Sequence, residues 1–140
     1  MARLTLVVVD DEQEILRALK RLFRHDFDVE IFDNGADCIT HIEQGGPVDI
    51  VLSDIRMPFM DGFALMDKIQ QQAPDITRLC ISGYADIDRC QQAIEQGLFE
   101  YIIPKPWDNF ELKCIVKLFA ENRQLKQQIA SLSEQLEGGG

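Results

Sequence analysis

Residues 4–12 read LTLVVVDDE, six mostly apolar residues that stop abruptly on three acids. A short apolar run rich in β-branched residues, bounded by charge instead of alternating with it, is the pattern of a strand buried on both faces of a parallel sheet. Four more runs share this character: 28–32 (DVEIF), 49–53 (DIVLS), 77–81 (TRLCI) and 101–104 (YIIP). The stretches between them have helical spacing. Ile15, Leu16, Leu19, Leu22 and Phe23 share one face and predict an amphipathic helix over 11–24. Shorter helices are predicted over 36–44, 63–72 and 87–96, stopped by Gly45, Pro74 and Gly97. Five alternations of strand and helix imply right-handed βαβ crossovers. The predicted fold is α/β, a doubly wound five-stranded parallel sheet with ligands bound beyond the carboxyl ends of its strands.

Several charged or polar residues fall at those ends: Asp10 and Asp11 after the first run, Asp54 after the third, Ser82 after the fourth and Lys105 after the fifth. Loop aspartates are commonplace, but here the fold brings the ends side by side. Three carboxylates held within a few ångström repel one another, so without a cation at least one pKa should rise. Mg²⁺, which takes oxygen ligands and keeps open positions, suits Asp10, Asp11 and Asp54. A carboxylate can then act as a nucleophile toward a phosphoryl group, with Lys105 as the cation and Ser82 as a hydroxyl donor to its oxygens.

The 140 residues, 46% hydrophobic and 27% charged, suffice for one compact domain. A formal net charge of -10 without a run of Lys or Arg is poorly suited to a nucleic-acid backbone or an anionic membrane surface. With no signal-like or membrane-spanning apolar stretch, a cytoplasmic location is expected. Cys38, Cys80, Cys90 and Cys114 show no C-x-x-C pairing and predict free thiols, buried where they fall in apolar patterns.

The motifs VVVDDE at 7–12, SDIRMPFMDGF at 53–63, ISGYAD at 81–86 and PKPW at 104–107 together resemble the receiver domains of bacterial two-component response regulators over about residues 4–120. The resemblance implies a flavodoxin-like (βα)5 fold and phosphorelay signalling. Asp54 would accept a phosphoryl group from a sensor histidine kinase or phosphotransfer protein. Asp10, Asp11, Asp54 and the backbone carbonyl of Arg56 would hold Mg²⁺, and Ser82 and Lys105 would contact the phosphoryl oxygens. Gly83 would leave room for that group, Lys105-Pro106 would be a cis peptide, and Pro58 and Gly62 match the turn after the acceptor strand. Self-phosphorylation and autodephosphorylation are implied, without turnover of a separate substrate, so the chain is not expected to be an enzyme in the usual sense. The family's switch aromatic lies three residues before the lysine; here that position is Ile102, and Tyr101 is four before it. Successive strand side chains point to opposite faces, so these two cannot share the place. Tyr84 is a second aromatic expected near the pocket.

Residues 109–137 contain no Pro or Gly. In a heptad frame Ile115, Asn122, Ile129 and Leu136 fall at a, and Leu118, Leu125 and Leu132 at d. β-branched a residues with Leu at d favour a parallel two-stranded coil, and an a-position Asn fixes register. Ile115 and Leu118 are also expected to pack on the helix's own domain. The expected organisation is a receiver over 1–120, a coiled-coil signalling helix over 121–137, a flexible Gly tail over 138–140 and an output module outside this chain.

Three other readings compete. A haloacid-dehalogenase-like phosphatase would need Asp-x-Asp where this chain has Asp10-Asp11-Glu12. A flavodoxin-like FMN carrier would need a hydroxyl- and glycine-rich first loop where this one is acidic. A phosphorylation-independent dimerisation scaffold keeps the fold without the chemistry; the complete acceptor set opposes it, while Ile102 leaves it open.

Overall fold

The structure, a computed structural model, describes residues 3–138. Strands β1 (Thr5–Val9), β2 (Asp28–Phe32), β3 (Ile50–Asp54), β4 (Thr77–Ser82) and β5 (Tyr101–Pro104) form one parallel sheet in the order β2-β1-β3-β4-β5. Helices α1 (Gln13–Phe23), α2 (Gly35–Glu43), α3 (Gly62–Gln72), α4 (Ile87–Glu95) and α5 (Asn109–Gly138) follow the strands in turn. The chain winds outward from β1 to β2, then returns to the other side of β1 at β3. That reversal opens a crevice between the carboxyl ends of β1 and β3, the switch point where such sheets bind ligands.

Alternation along the strands divides the core into two layers. Val7, Val9, Val51 and Cys80 pack with Leu65, Met66 and Ile69 of α3 and Cys90 of α4. Leu6, Val8, Ile50, Leu52, Leu79 and Ile81 pack with Leu16, Leu19 and Phe23 of α1 and Leu112, Val116 and Ala120 of α5. The three central strands are therefore buried on both faces, which is why their sequences read as unbroken apolar runs.

Element ends shift by a residue or two for local reasons. Helix α1 starts at Gln13, leaving Asp11 in the preceding loop, where the Glu12 amide donates to Asp10 Oδ1 at 2.8 Å. Helices α2 and α3 start at Gly35 and Gly62 because the Asn34 and Asp61 side chains accept from the Asp37 and Ala64 amides, each at 2.8 Å. A 3-10 turn at Tyr84–Asp86, absent from the sequence-based expectation, leads into α4.

Helix α5 corrects two expectations. Its buried stripe is Leu112, Val116 and Ala120, with Ile115 and Phe119 half-buried beside it. Leu118 stands two residues from Val116, on the opposite side of the helix, and is 65% exposed, so it does not pack on its own domain. Contact with the domain also runs past residue 120. Arg123 Nε lies 3.3 Å from Asp49 Oδ1 and its guanidinium donates to the Asp75 carbonyl, so the attached part of the helix reaches at least Arg123. Gly138 closes the helix instead of opening a tail; Gly139 and Gly140 lie outside the described residues. Cys38, Cys80 and Cys90 are buried free thiols, whereas Cys114 is exposed. No helix among the described residues is long and apolar enough to cross a membrane.

Candidate functional site

Asp54 is the last residue of β3 and is buried; Asp10 follows β1 and is buried; Asp11, next in the loop, is exposed. One carboxylate oxygen from each lies within 4.8 Å of the others. Burial, reinforced by the negative charges of Asp54 and Asp11, pushes the Asp10 carboxyl up to about 6, although the Glu12 amide and Lys105 oppose the shift. Repulsion within the cluster predicts a raised pKa from the sequence alone; Asp10 is raised, with burial as the larger cause and repulsion second.

Lys105 enters from the far strand. Its amide donates to the Ser82 carbonyl at 2.8 Å, extending the β4–β5 pairing by one residue, and its Nζ sits 3.0 Å from Asp54 Oδ1. The Lys105-Pro106 peptide is cis. Ser82 ends β4 with its hydroxyl donating to the Gly83 carbonyl at 2.9 Å. A Cβ on Gly83 would meet nothing within 4 Å, and its backbone is extended, so the space in front of it is open. Gly62 differs: a Cβ there would come within 2.6 Å of the Asp54 carbonyl and 2.8 Å of Ile55 Cα. Only a residue without a side chain lets the start of α3 close against the end of the acceptor strand, where the Gly62 amide donates to the Ile55 carbonyl at 2.7 Å.

The register of β5 sends Tyr101 and Ile102 to opposite faces of the sheet. Ile102 pairs with Cys80 and packs against the α3–α4 layer, whereas Tyr101 turns to α5 and stacks on Phe119 with ring centroids 5.9 Å apart. The position facing α4 thus belongs to an aliphatic residue. Tyr84, in the 3-10 turn, is 84% exposed, with its ring in solvent.

One feature escaped the sequence reading. Arg56, expected to contribute only its backbone, also spans the mouth of the site: Nε donates to Asp86 Oδ2 at 2.8 Å and Nη2 to Oδ1 at 3.3 Å, tying the loop after β3 to the turn before α4. Arg89 then lies 4.0 Å above the Phe63 ring, and these residues with Ile55, Met57 and Pro58 line a groove of about 410 Å³. Thirty residues separate Arg56 from Asp86, and no local pattern announces the pair.

Among curated relatives, the chain is 36% identical over 129 residues to the DNA-binding transcriptional regulator NtrC of Escherichia coli and 30% identical over 129 residues to the C4-dicarboxylate transport transcriptional regulatory protein DctD of Rhizobium meliloti. Each match takes in 91% of this chain, which spans only about a quarter of those relatives, 27% and 28% of their lengths. Its structure superposes on the signal receiver domain of an HD domain-containing protein from Pseudomonas fluorescens with a TM-score of 0.81 and 26% identity, covering 91% of this chain and 94% of that one. A structure described as adenylate cyclase from Rhodopirellula baltica shares the fold at a TM-score of 0.89 and 23% identity, covering 96% and 99%. The family model of the response regulator receiver domain matches residues 6–117, so the chain belongs to that family of two-component signalling domains.

Proposed function

We propose that the domain accepts a phosphoryl group on Asp54 from a histidine kinase or phosphotransfer protein, in a Mg²⁺-dependent reaction, and so regulates an output module in the cytoplasm. The observation that carries this reading is Asp54 itself: a buried carboxylate at a strand end, 3.0 Å from Lys105 Nζ and grouped with two further carboxylates. An Asp54 oxygen attacks phosphorus as the phosphorus–nitrogen bond to the donor imidazole breaks, and that electron pair leaves on nitrogen. Lys105 stays paired with the negative charge, moving from carboxylate to phosphoryl oxygen, and Gly83 keeps the approach open. Water attacking phosphorus later returns the carboxylate and orthophosphate. Asp10, Asp11, Asp54 and the Arg56 carbonyl would hold Mg²⁺, and the burial and carboxylate repulsion that together lift Asp10 are the conflict a hard divalent ion relieves. The ion supplies charge neutralisation on the transferring oxygens.

The same reading takes the domain to a parallel homodimer through α5. Leu118, Leu125, Ile129, Leu132 and Leu136 form one stripe, each more than half exposed, with Asn122 among them. Ile115 is shared with the domain's own core and opens the seam weakly.

The test is intact mass after acetyl phosphate and Mg²⁺, for wild type and Asp54→Asn. The expected result is one phosphoryl adduct, lost in Asp54→Asn and without Mg²⁺. No adduct on wild type, with dimers still present in sedimentation, would favour the phosphorylation-independent scaffold.

A further inference from the structure

Helices α2, α3 and α5 each follow an Asn or Asp whose side chain accepts an amide of the first turn: Asn34 from Asp37 at 2.8 Å, Asp61 from Ala64 at 2.8 Å and Asp108 from Glu111 at 2.9 Å. Helix α4 also follows an aspartate, Asp86, but that side chain caps no amide. Two observations explain the exception. Both Asp86 carboxylate oxygens are taken by Arg56, Oδ2 by Nε at 2.8 Å and Oδ1 by Nη2 at 3.3 Å. The Asp86 backbone, at φ -108° and ψ 3°, also lacks the extended shape of Asn34 and Asp61 that a capping residue takes. It closes the 3-10 turn instead, its amide donating to the Gly83 carbonyl at 3.3 Å. A residue type well suited to capping α4 is thus committed elsewhere. Its partner is the looser half of the pair: the Asp86 side chain is 15% exposed and that of Arg56 73%.

We propose that Arg56 and Asp86 form a latch: the ion pair keeps α4 uncapped in the resting domain, and a phosphoryl group on Asp54 draws Arg56 away and frees Asp86 to cap the helix. The proposal rests on the phosphoacceptor reading above. Arg56 stands two residues beyond Asp54, in the loop across the mouth of the site, and its exposed side chain is free to turn. A phosphoryl group brings roughly two negative charges and three acceptor oxygens, which a guanidinium binds through paired N–H donors. An ion pair with a largely exposed arginine is weak, so it yields to that competitor. Once released, Asp86 leaves the 3-10 turn for an extended backbone and accepts from the Asp88 or Arg89 amide, at the second and third positions of α4. Its negative charge, no longer neutralised by Arg56, then also favours the positive end of the α4 dipole. Charge arriving on Asp54 is converted in this way into a firmer first turn of α4.

The test uses the whole chain with Mg²⁺, with and without beryllofluoride, reading adduct formation by fluorine NMR and hydrogen exchange at the Asp88 and Arg89 amides. In wild type, exchange at one of these amides slows about fivefold when the adduct forms, the scale of a typical N-cap. Asp86→Asn removes the charge but keeps a capping side chain, so slow exchange is present already without beryllofluoride. Asp86→Ala can neither pair nor cap, and exchange stays fast in both conditions. Arg56→Gln, which keeps the backbone carbonyl, gives the same slow exchange as Asp86→Asn before any adduct forms. Wild-type exchange unchanged by the adduct, or equal exchange in Asp86→Asn and Asp86→Ala, would overturn the latch and leave the phosphoacceptor reading standing. Absence of an adduct in wild type would instead bring down the phosphoacceptor reading, and the latch with it.

Discussion

At the carboxyl ends of the strands, three carboxylates lie within 4.8 Å of one another and Asp10 is pushed up to about 6. At the amino ends, where α5 passes Asp49 and Asp75 and leaves the domain, Leu125, Ile129, Leu132 and Leu136 stand more than half exposed with no charge conflict among them. Both regions carry groups that the domain does not satisfy, but the physics differs. Charge repulsion in a buried pocket responds to pH and to cations. Apolar exposure along a helix responds to protein concentration and scarcely to either. The difference teaches that pocket and helix can be broken separately, which makes each a control for the other.

The seam should give the largest effect. Leu125→Glu with Leu132→Glu removes four apolar side chains from a parallel dimer, and each buried Leu is worth about 1.5–3 kcal/mol, so association should weaken by several orders of magnitude. Sedimentation should show monomers at all practical concentrations, while phosphorylation of Asp54 persists. An unchanged dimer would place the interface elsewhere on the domain.

Next comes Asp10. A carboxyl whose folded pKa is raised above its unfolded value favours folding while protonated, so its contribution is present below about pH 4 and is lost as pH rises through about 6. A shift of that size corresponds to at most about 3 kcal/mol. In chelator, stability should therefore fall across that window, and Asp10→Asn should flatten the fall and raise the melting temperature at pH 8. Mg²⁺ should stabilise wild type more at pH 8 than at pH 5, and Asp10→Asn much less at either. A pH-independent melting temperature in chelator would contradict the pocket's electrostatics, whereas the seam variant should keep the wild-type profile.

Arg123 joins the two regions, because Asp49 immediately precedes β3, the strand that carries Asp54. Arg123→Gln should cost about 1.5 kcal/mol, the low end for a hydrogen bond between charged groups, and should raise amide exchange over residues 117–124. The smallest effect belongs to the Arg56–Asp86 pair. Its arginine is largely exposed, so Asp86→Asn should cost within about 0–1 kcal/mol of stability. A change in Mg²⁺ affinity beyond about tenfold, or 1.4 kcal/mol, would show that the pair also fixes the loop carrying the Arg56 carbonyl.

The sequence by itself determined the sheet and the membership of the pocket. Buried strands are apolar at consecutive positions and end where charge begins, so Asp10, Asp54, Ser82 and Lys105 were legible as strand-end residues, and the motif resemblance added their roles. Both signals are local and survive without knowledge of neighbours. Tertiary structure decided everything that depends on which face meets what. Helix α5 carries two apolar stripes, Leu112–Val116–Ala120 and Leu118–Leu125–Ile129, and only docking shows that the first faces the core. Likewise β5 offers Tyr101 and Ile102 in succession, and only its register against β4 sends the ring to α5 and the aliphatic chain to α4. Arg56 with Asp86 and Arg123 with Asp49, the latter pair 74 residues apart, meet because the sheet order folds distant loops together. Periodicity reports that a side chain wants to be buried; it carries no information about its partner, because that depends on contacts across the fold.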